Sequence, residues 1–155
     1  MHSTHDVAVN MNRVKGQWRL ITWRRIADGD VVTYPFGESP SGLLIYTAEG
    51  HMAVQMIEAD RPALDTSDPL GGDTEQRAAA YSTQLAYFGR YEVSGDEVTH
   101  RIDGSSFPNW SGTDQVRPFL CDGETLILRT PPSLVDGVTV VNEMSWIRAE
   151  HNSKK

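Results

Sequence analysis

The residues with chemistry to offer are few, and they lie in short alternating segments. His100 sits in Val98-Thr99-His100-Arg101-Ile102, where every second residue is apolar. Successive strand side chains point to opposite faces, so the imidazole shares its face with Val98 and Ile102 and is expected inside. An ordinary imidazole titrates near 6.5 and exchanges a proton at neutral pH. Tyr87, Tyr91 and Val93 share a face of another segment, and a tyrosine there can orient a ligand oxygen or act as a weak acid. Arg117 shares a face with Gln115, Phe119 and Cys121, but Val116 and Leu120 opposite are also apolar, so the direction of that strand stays open. Turned inward, the guanidinium would need a carboxylate, a carbonyl or a bound anion, because an uncompensated buried charge is costly. His100, Tyr87 and Arg117 are therefore the candidate catalytic set: proton transfer by the imidazole, help from the phenol, and stabilisation of an enolate-type oxygen by the cation. Each also has a purely structural reading, as a core histidine held by a tyrosine, a packed phenol, or an ion pair with Asp103 or Asp114.

Candidate binding residues surround this set. Met52, Val54 and Met56 alternate with His51, Ala53, Gln55 and Ile57, and the thioether face suits an adaptable pocket wall. Tyr46 shares parity with Leu44, with either face open. The loop Ser105 to Gly112 offers Asn109 and Trp110, an amide and a flat apolar ring for a cavity mouth. The binding set is thus Tyr46, Met52, Met56, Tyr91, Asn109, Trp110, Gln115 and Phe119. No metal is expected: His2, His5, His51, His100 and His151 are scattered, and Cys121 is the only cysteine. No serine stands in a G-x-S-x-G context and no glycine-rich phosphate motif occurs, so no cofactor is expected either.

These residues must be positioned by strands. Gln17 to Ile26, Val31 to Tyr34, Gly42 to Thr47, His51 to Glu58, Tyr87 to Val93, Glu97 to Asp103, Asp114 to Cys121, Thr125 to Thr130 and Val138 to Arg148 read as about nine strands. Ala48-Glu49-Gly50, Ser94-Gly95-Asp96 and Asp122-Gly123-Glu124 are hairpin turns between them. Thr74 to Leu85 is rich in helix formers and is expected to be a short helix, with Asp73 or Thr74 as its cap. The Pro- and Gly-containing stretch Asp60 to Gly72 precedes it, as a lid over one barrel end or a plain crossover.

A chain of 155 residues fits one domain. A net charge of −7 opposes binding to nucleic acid or to an anionic membrane surface. No apolar run is long enough to span a bilayer, no disulfide is possible within the chain, and the polar N-terminus lacks a signal core, so the expected location is cytoplasmic. A homodimer is compatible with so small a barrel, although no exposed apolar stripe in the sequence marks its interface.

A more specific likeness begins at Gly16-Gln17-Trp18, a G-x-W opening. It continues through Pro35-Phe36-Gly37, Gly42 to Thr47, Gly50-His51-Met52, Ala86 to Tyr91, Val98-Thr99-His100, Ser106 to Trp110, Gly112 to Arg117 and Trp146-Ile147-Arg148. In that order and spacing the set resembles the bacterial and fungal lipocalin-like domain family over about residues 13 to 149. The resemblance implies an all-β fold, a single antiparallel lipocalin-like β-barrel of eight to ten strands. It makes 13–149 the domain and 1–12 and 150–155 flexible tails. It also implies that the first and last strands meet, with Arg148 over Trp18 at the closed end. The functional expectation is a small-molecule-binding barrel that takes a small hydrophobic or aromatic molecule. It would act as a cofactor-free isomerase, cyclase or lyase on a polyketide-like or aromatic metabolite. The alternative is a non-catalytic carrier or sensor of a small lipophile.

Overall fold

The computed structural model describes residues 11–149. Of the expected tails at 1–12 and 150–155, residues 1–10 and 150–155 lie outside them. Ten strands form one sheet: β1 (Gly16–Ala27), β2 (Val31–Thr33), β3 (Ser41–Tyr46), β4 (His51–Ile57), β5 (Gln84–Ser94), β6 (Glu97–Ser105), β7 (Asp114–Cys121), β8 (Thr125–Arg129), β9 (Ser133–Val135) and β10 (Val138–Arg148). The order is β2-β1-β3-β4-β5-β6-β7-β8-β10-β9, and pairing of β1 with β10 closes it. All pairings are antiparallel, and β2 and β9 flank the closing pair, so the closed wall has eight strands. Closure removes the open sheet edges that would otherwise pair with other chains.

Alternation along each strand builds the core. In β4 Met52, Val54 and Met56 are buried while His51, Ala53 and Gln55 are exposed. In β5 and β6 the inward residues are Tyr87, Tyr91 and Val93, then Val98, His100 and Ile102. Tyr46 lies inside with Leu44. The β7 direction left open by the sequence is settled by burial of Arg117 and Phe119 against exposure of Leu120.

Two irregularities change the phase. Ile21 and Thr22 together oppose Ser145, a bulge in β1. Thr22, expected on the face of Trp18 and Leu20, therefore stands outward, and Trp23 and Arg25 turn in opposite Met144 and Asn142. The second lies in β6, where Asp103 is extra and Gly89 faces Ile102. A Cβ on Gly89 would lie 2.0 Å from the Arg101 carbonyl oxygen, so the backbones approach as only glycine permits.

One end is plugged. Residues 11–14 are helical, and Met11 packs against the core although the sequence placed it in a tail. Trp18 Nε1 donates to the Val14 carbonyl at 2.8 Å. Arg148 lies over the Trp18 ring, 4.1 Å from its centroid, as the sequence suggested. The helix spans Thr74–Ser82, three residues shorter than expected because β5 starts at Gln84. Asp73 caps it by accepting from the Gln76 N–H at 2.8 Å. The ninth short strand, β9, was not read from the sequence. The outward faces of β3 and β5 expose Leu43 and Phe88, apolar surface that the sequence reading did not pick out. Among the described residues no helix is long and apolar enough to cross a membrane.

Candidate functional site

The end opposite the plug is hollow. A cavity of about 560 Å³ opens there, within the usual range of small-ligand sites. β1 contributes Trp23 and Arg25 past the bulge, β4 Met56, and β5 Leu85 and Tyr87. Phe107 and Trp110 come from the segment around a 3-10 turn (Pro108–Trp110) between β6 and β7. β7 adds Gln115 and Arg117, β10 adds Asn142 and Met144, and Thr130 to Ser133 with Val135 form part of the rim. Other hollows lie on the outside, among them one of about 400 Å³ between residues 58–64 and the helix and one over the outward face of β3–β6. The latter includes Tyr87 in its lining, but none of them includes Arg117, Trp23 or Trp110, so the mouth cavity is the candidate site.

Behind its floor lies a buried polar chain. Tyr46 Oη is 2.6 Å from His100 Nε2, and Tyr87 Oη is 2.8 Å from His100 Nδ1. Burial, and then the nearby Arg117 charge, push the His100 pKa down from 6.5 to about 3, so the imidazole is neutral and carries one N–H. One tyrosine must donate to the bare nitrogen and the other must accept from the N–H. If Tyr46 donates, the spare O–H belongs to Tyr87, which lines the cavity. In the reverse arrangement it belongs to the enclosed Tyr46, where an unmatched donor costs about 1–3 kcal/mol. The first arrangement is therefore favoured, and it aims the Tyr87 hydroxyl proton at the cavity. Burial raises the pKa values of both Tyr46 and Tyr87, with Arg117 opposing the rise in each, so both phenols stay protonated.

Arg117 is 4% exposed, yet no carboxylate pairs with it among the described residues. Its Nη1 donates to the Val116 carbonyl at 3.1 Å, and its guanidinium lies 5.5 Å from the centroid of the Trp110 ring. Trp110 also meets Tyr87 edge-on, at 5.6 Å between centroids. On the other wall Asn142 Oδ1 accepts from Trp23 Nε1 at 2.8 Å and from Arg25 Nε at 3.2 Å.

The structure brings together Tyr87, Arg117, Met56, Trp110 and Gln115 of the sequence-derived set. His100 and Tyr46 stand behind Tyr87 and do not line the cavity. Met52, Tyr91 and Phe119 are buried toward the plugged end, away from it. Tyr91 donates its hydroxyl to the Thr47 carbonyl at 2.6 Å, and burial followed by Glu49 pushes its pKa to about 12. Phe119 packs under Arg13. Asn109 is exposed on the 3-10 turn, which turns its neighbour Trp110 inward instead. The sequence reading missed Trp23, Arg25, Leu85, Phe107, Asn142 and Met144 as lining residues. The signal for the last two was present, since Asn142 and Met144 share parity with Trp146.

A closed antiparallel barrel, plugged at one end and hollow at the other, defines a lipocalin-like architecture. The family model of the lipocalin-like domain matches residues 15–148, and the chain belongs to that family. It is also similar to a protein of Aspergillus oryzae described as a 4'-hydroxy-3'-methoxypropiophenone carrier protein, with 32% identity over 104 residues, 61% of this chain and 94% of the relative. No solved structure matches.

Proposed function

We propose that the barrel binds and carries a small aromatic molecule bearing an oxygen function, seated in the mouth cavity. The observation that carries this reading is Arg117, a buried cation without a carboxylate partner among the described residues, set beside the Tyr87 hydroxyl in a largely apolar hollow. Arg117 and Tyr87 would hold the ligand oxygen. Trp110 and Trp23 would flank the ring, with Met56 and Met144 filling irregular space. The relative's description as a carrier of an aromatic ketone supports the same class.

Calorimetric titration with propiophenones substituted on the ring tests it. Binding should weaken at least tenfold in Arg117→Met and in Tyr87→Phe, and stay within twofold in Phe119→Leu, which lies outside the cavity. Equal affinities in all variants, or no binding to the wild type, would refute the reading.

A second reading, a cofactor-free isomerase, cyclase or lyase, is favoured by one observation: the chain Tyr46–His100–Tyr87 ends at the cavity beside a cation. There Tyr87 would exchange the proton and Arg117 would steady an enolate. An imidazole with a pKa of about 3 and both nitrogens engaged is a weak base, which favours carriage. Mass spectrometry of the recovered ligand separates the two, since a carrier returns it unchanged.

A further inference from the structure

We infer that the mouth cavity selects its ligand in the anionic form, as a delocalised oxyanion of the phenolate or enolate type. The inference rests on the carriage reading above and names the charge state of what is carried.

The whole chain is acidic, at −7, yet the described residues lining the cavity include two arginines, Arg25 and Arg117, and no aspartate or glutamate. Elsewhere four arginines, Arg13, Arg24, Arg101 and Arg129, are held by carboxylates. Glu143 takes both Arg24 and Arg129 at 2.9 Å, and Arg101 holds Glu92 and Asp114. Inside the cavity the acceptors are neutral: the Val116 carbonyl and the Tyr87 hydroxyl for Arg117, and the Asn142 amide oxygen for Arg25. The other ionisable groups near Arg117 are Tyr46, Tyr87 and His100, all held uncharged by burial. None supplies the missing negative charge.

A buried guanidinium in that position gains most from a ligand that brings the charge with it. The surroundings narrow the anion further. Trp23, Met56, Phe107, Trp110 and Met144 give walls too apolar for a strongly hydrated phosphate. A ring-conjugated oxyanion meets both demands, with its oxygen on Arg117 and the Tyr87 hydroxyl and its ring on the aromatic walls. A ligand that ionises on binding releases its proton to solvent, so uptake tightens as pH rises toward the free ligand's own pKa.

The test uses the full-length protein with 4-hydroxypropiophenone and its methyl ether, 4-methoxypropiophenone. Phenolate absorbs at longer wavelength than phenol, so the bound charge state is read directly. One pH unit below the free phenol's pKa, the bound phenol should show mainly the phenolate band. The phenol should also bind at least tenfold tighter than the ether. Arg117→Met should abolish the band and bring the two affinities together, and Arg117→Lys, which keeps the charge, should retain it. A bound spectrum that stays phenol-like in the wild type, with equal affinities for phenol and ether, overturns the inference and leaves carriage standing. Failure of the wild type to bind either compound overturns carriage and the inference with it.

Discussion

Replacing His100 with glutamine isolates one contribution to acid sensitivity. In the folded protein the imidazole is enclosed, bonded on both nitrogens, and depressed to a pKa of about 3, against 6.5 for the free side chain. Above pH 6.5 it is neutral in both the folded and the unfolded chain and leaves no pH dependence. As pH falls below 6.5 the unfolded chain takes up a proton that the folded chain refuses until about pH 3. Stability is therefore full above pH 6.5 and falls across that window by about 1.4 kcal/mol per unit. Two units below the upper limit, at about pH 4.5, the loss from this one group is about 3 kcal/mol. Glutamine can still donate and accept toward Tyr46 and Tyr87 but does not titrate. Urea unfolding followed by tryptophan fluorescence, at about pH 7.5 and pH 4.5, gives the stability of both proteins. The substitution's own cost, and the carboxylates common to both, cancel in the difference between the two pH values. The wild type should lose about 3 kcal/mol more than His100→Gln over that interval. Parallel losses would refute the neutral, enclosed imidazole and with it the assignment of the spare O–H to Tyr87.

Other expectations are as direct. Arg117→Met removes a buried charge whose desolvation exceeds what one carbonyl, the Tyr87 hydroxyl and one aromatic face return. It should raise stability of the ligand-free protein by about 1–3 kcal/mol in urea titration, and a drop of that size would count against an uncompensated cation. Trp18→Phe loses the bond to Val14 and the contact with Arg148, whereas Trp146 Nε1 is buried with no partner among the described residues, so Trp146→Phe gives up no hydrogen bond. Trp18→Phe should be the more destabilising by about 1–2 kcal/mol, and the reverse order would contradict the bonding described. Gly89→Ala drives a Cβ into the Arg101 carbonyl and should cost more than about 3 kcal/mol. Gly123→Ala meets nothing within 4 Å but is strained by its positive φ of 98°, so circular dichroism melts should place it below the wild type and above Gly89→Ala.

The barrel was legible because its signal is distributed. Alternation in His51–Ile57 or Val98–Ile102 is fixed by burial of one face, and a slip of one residue would expose every methionine of β4. The inward placing of His100, Met56 and Tyr87 followed from the same rule. Its failures have local causes. Strict alternation from Trp18 carries Thr22 and Arg24 inward, and the bulge at Ile21 gives those places to Trp23 and Arg25, with no glycine or proline to announce the change. Asn109 and Trp110 adjoin in a loop, where period-two reasoning gives no direction, and the 3-10 turn separates them. Depth along a strand is also invisible to parity: Phe119 and Gln115 share a face of β7, but only Gln115 reaches the mouth. The β7 direction needed the partner strands, since both of its faces are apolar.

The bulge in β1 has a further consequence for how this mouth tolerates change. Two residues there do the work of one, so the strand holds a unit of slack between its anchored base and its rim. Removing Ile21 would let Thr22 alone oppose Ser145, with Trp18 and Leu20 still inward below and Trp23 and Arg25 still inward above. A length change that scrambles an ordinary strand would here leave the same side chains looking into the hollow, and alter only the local twist with which the rim leans over it.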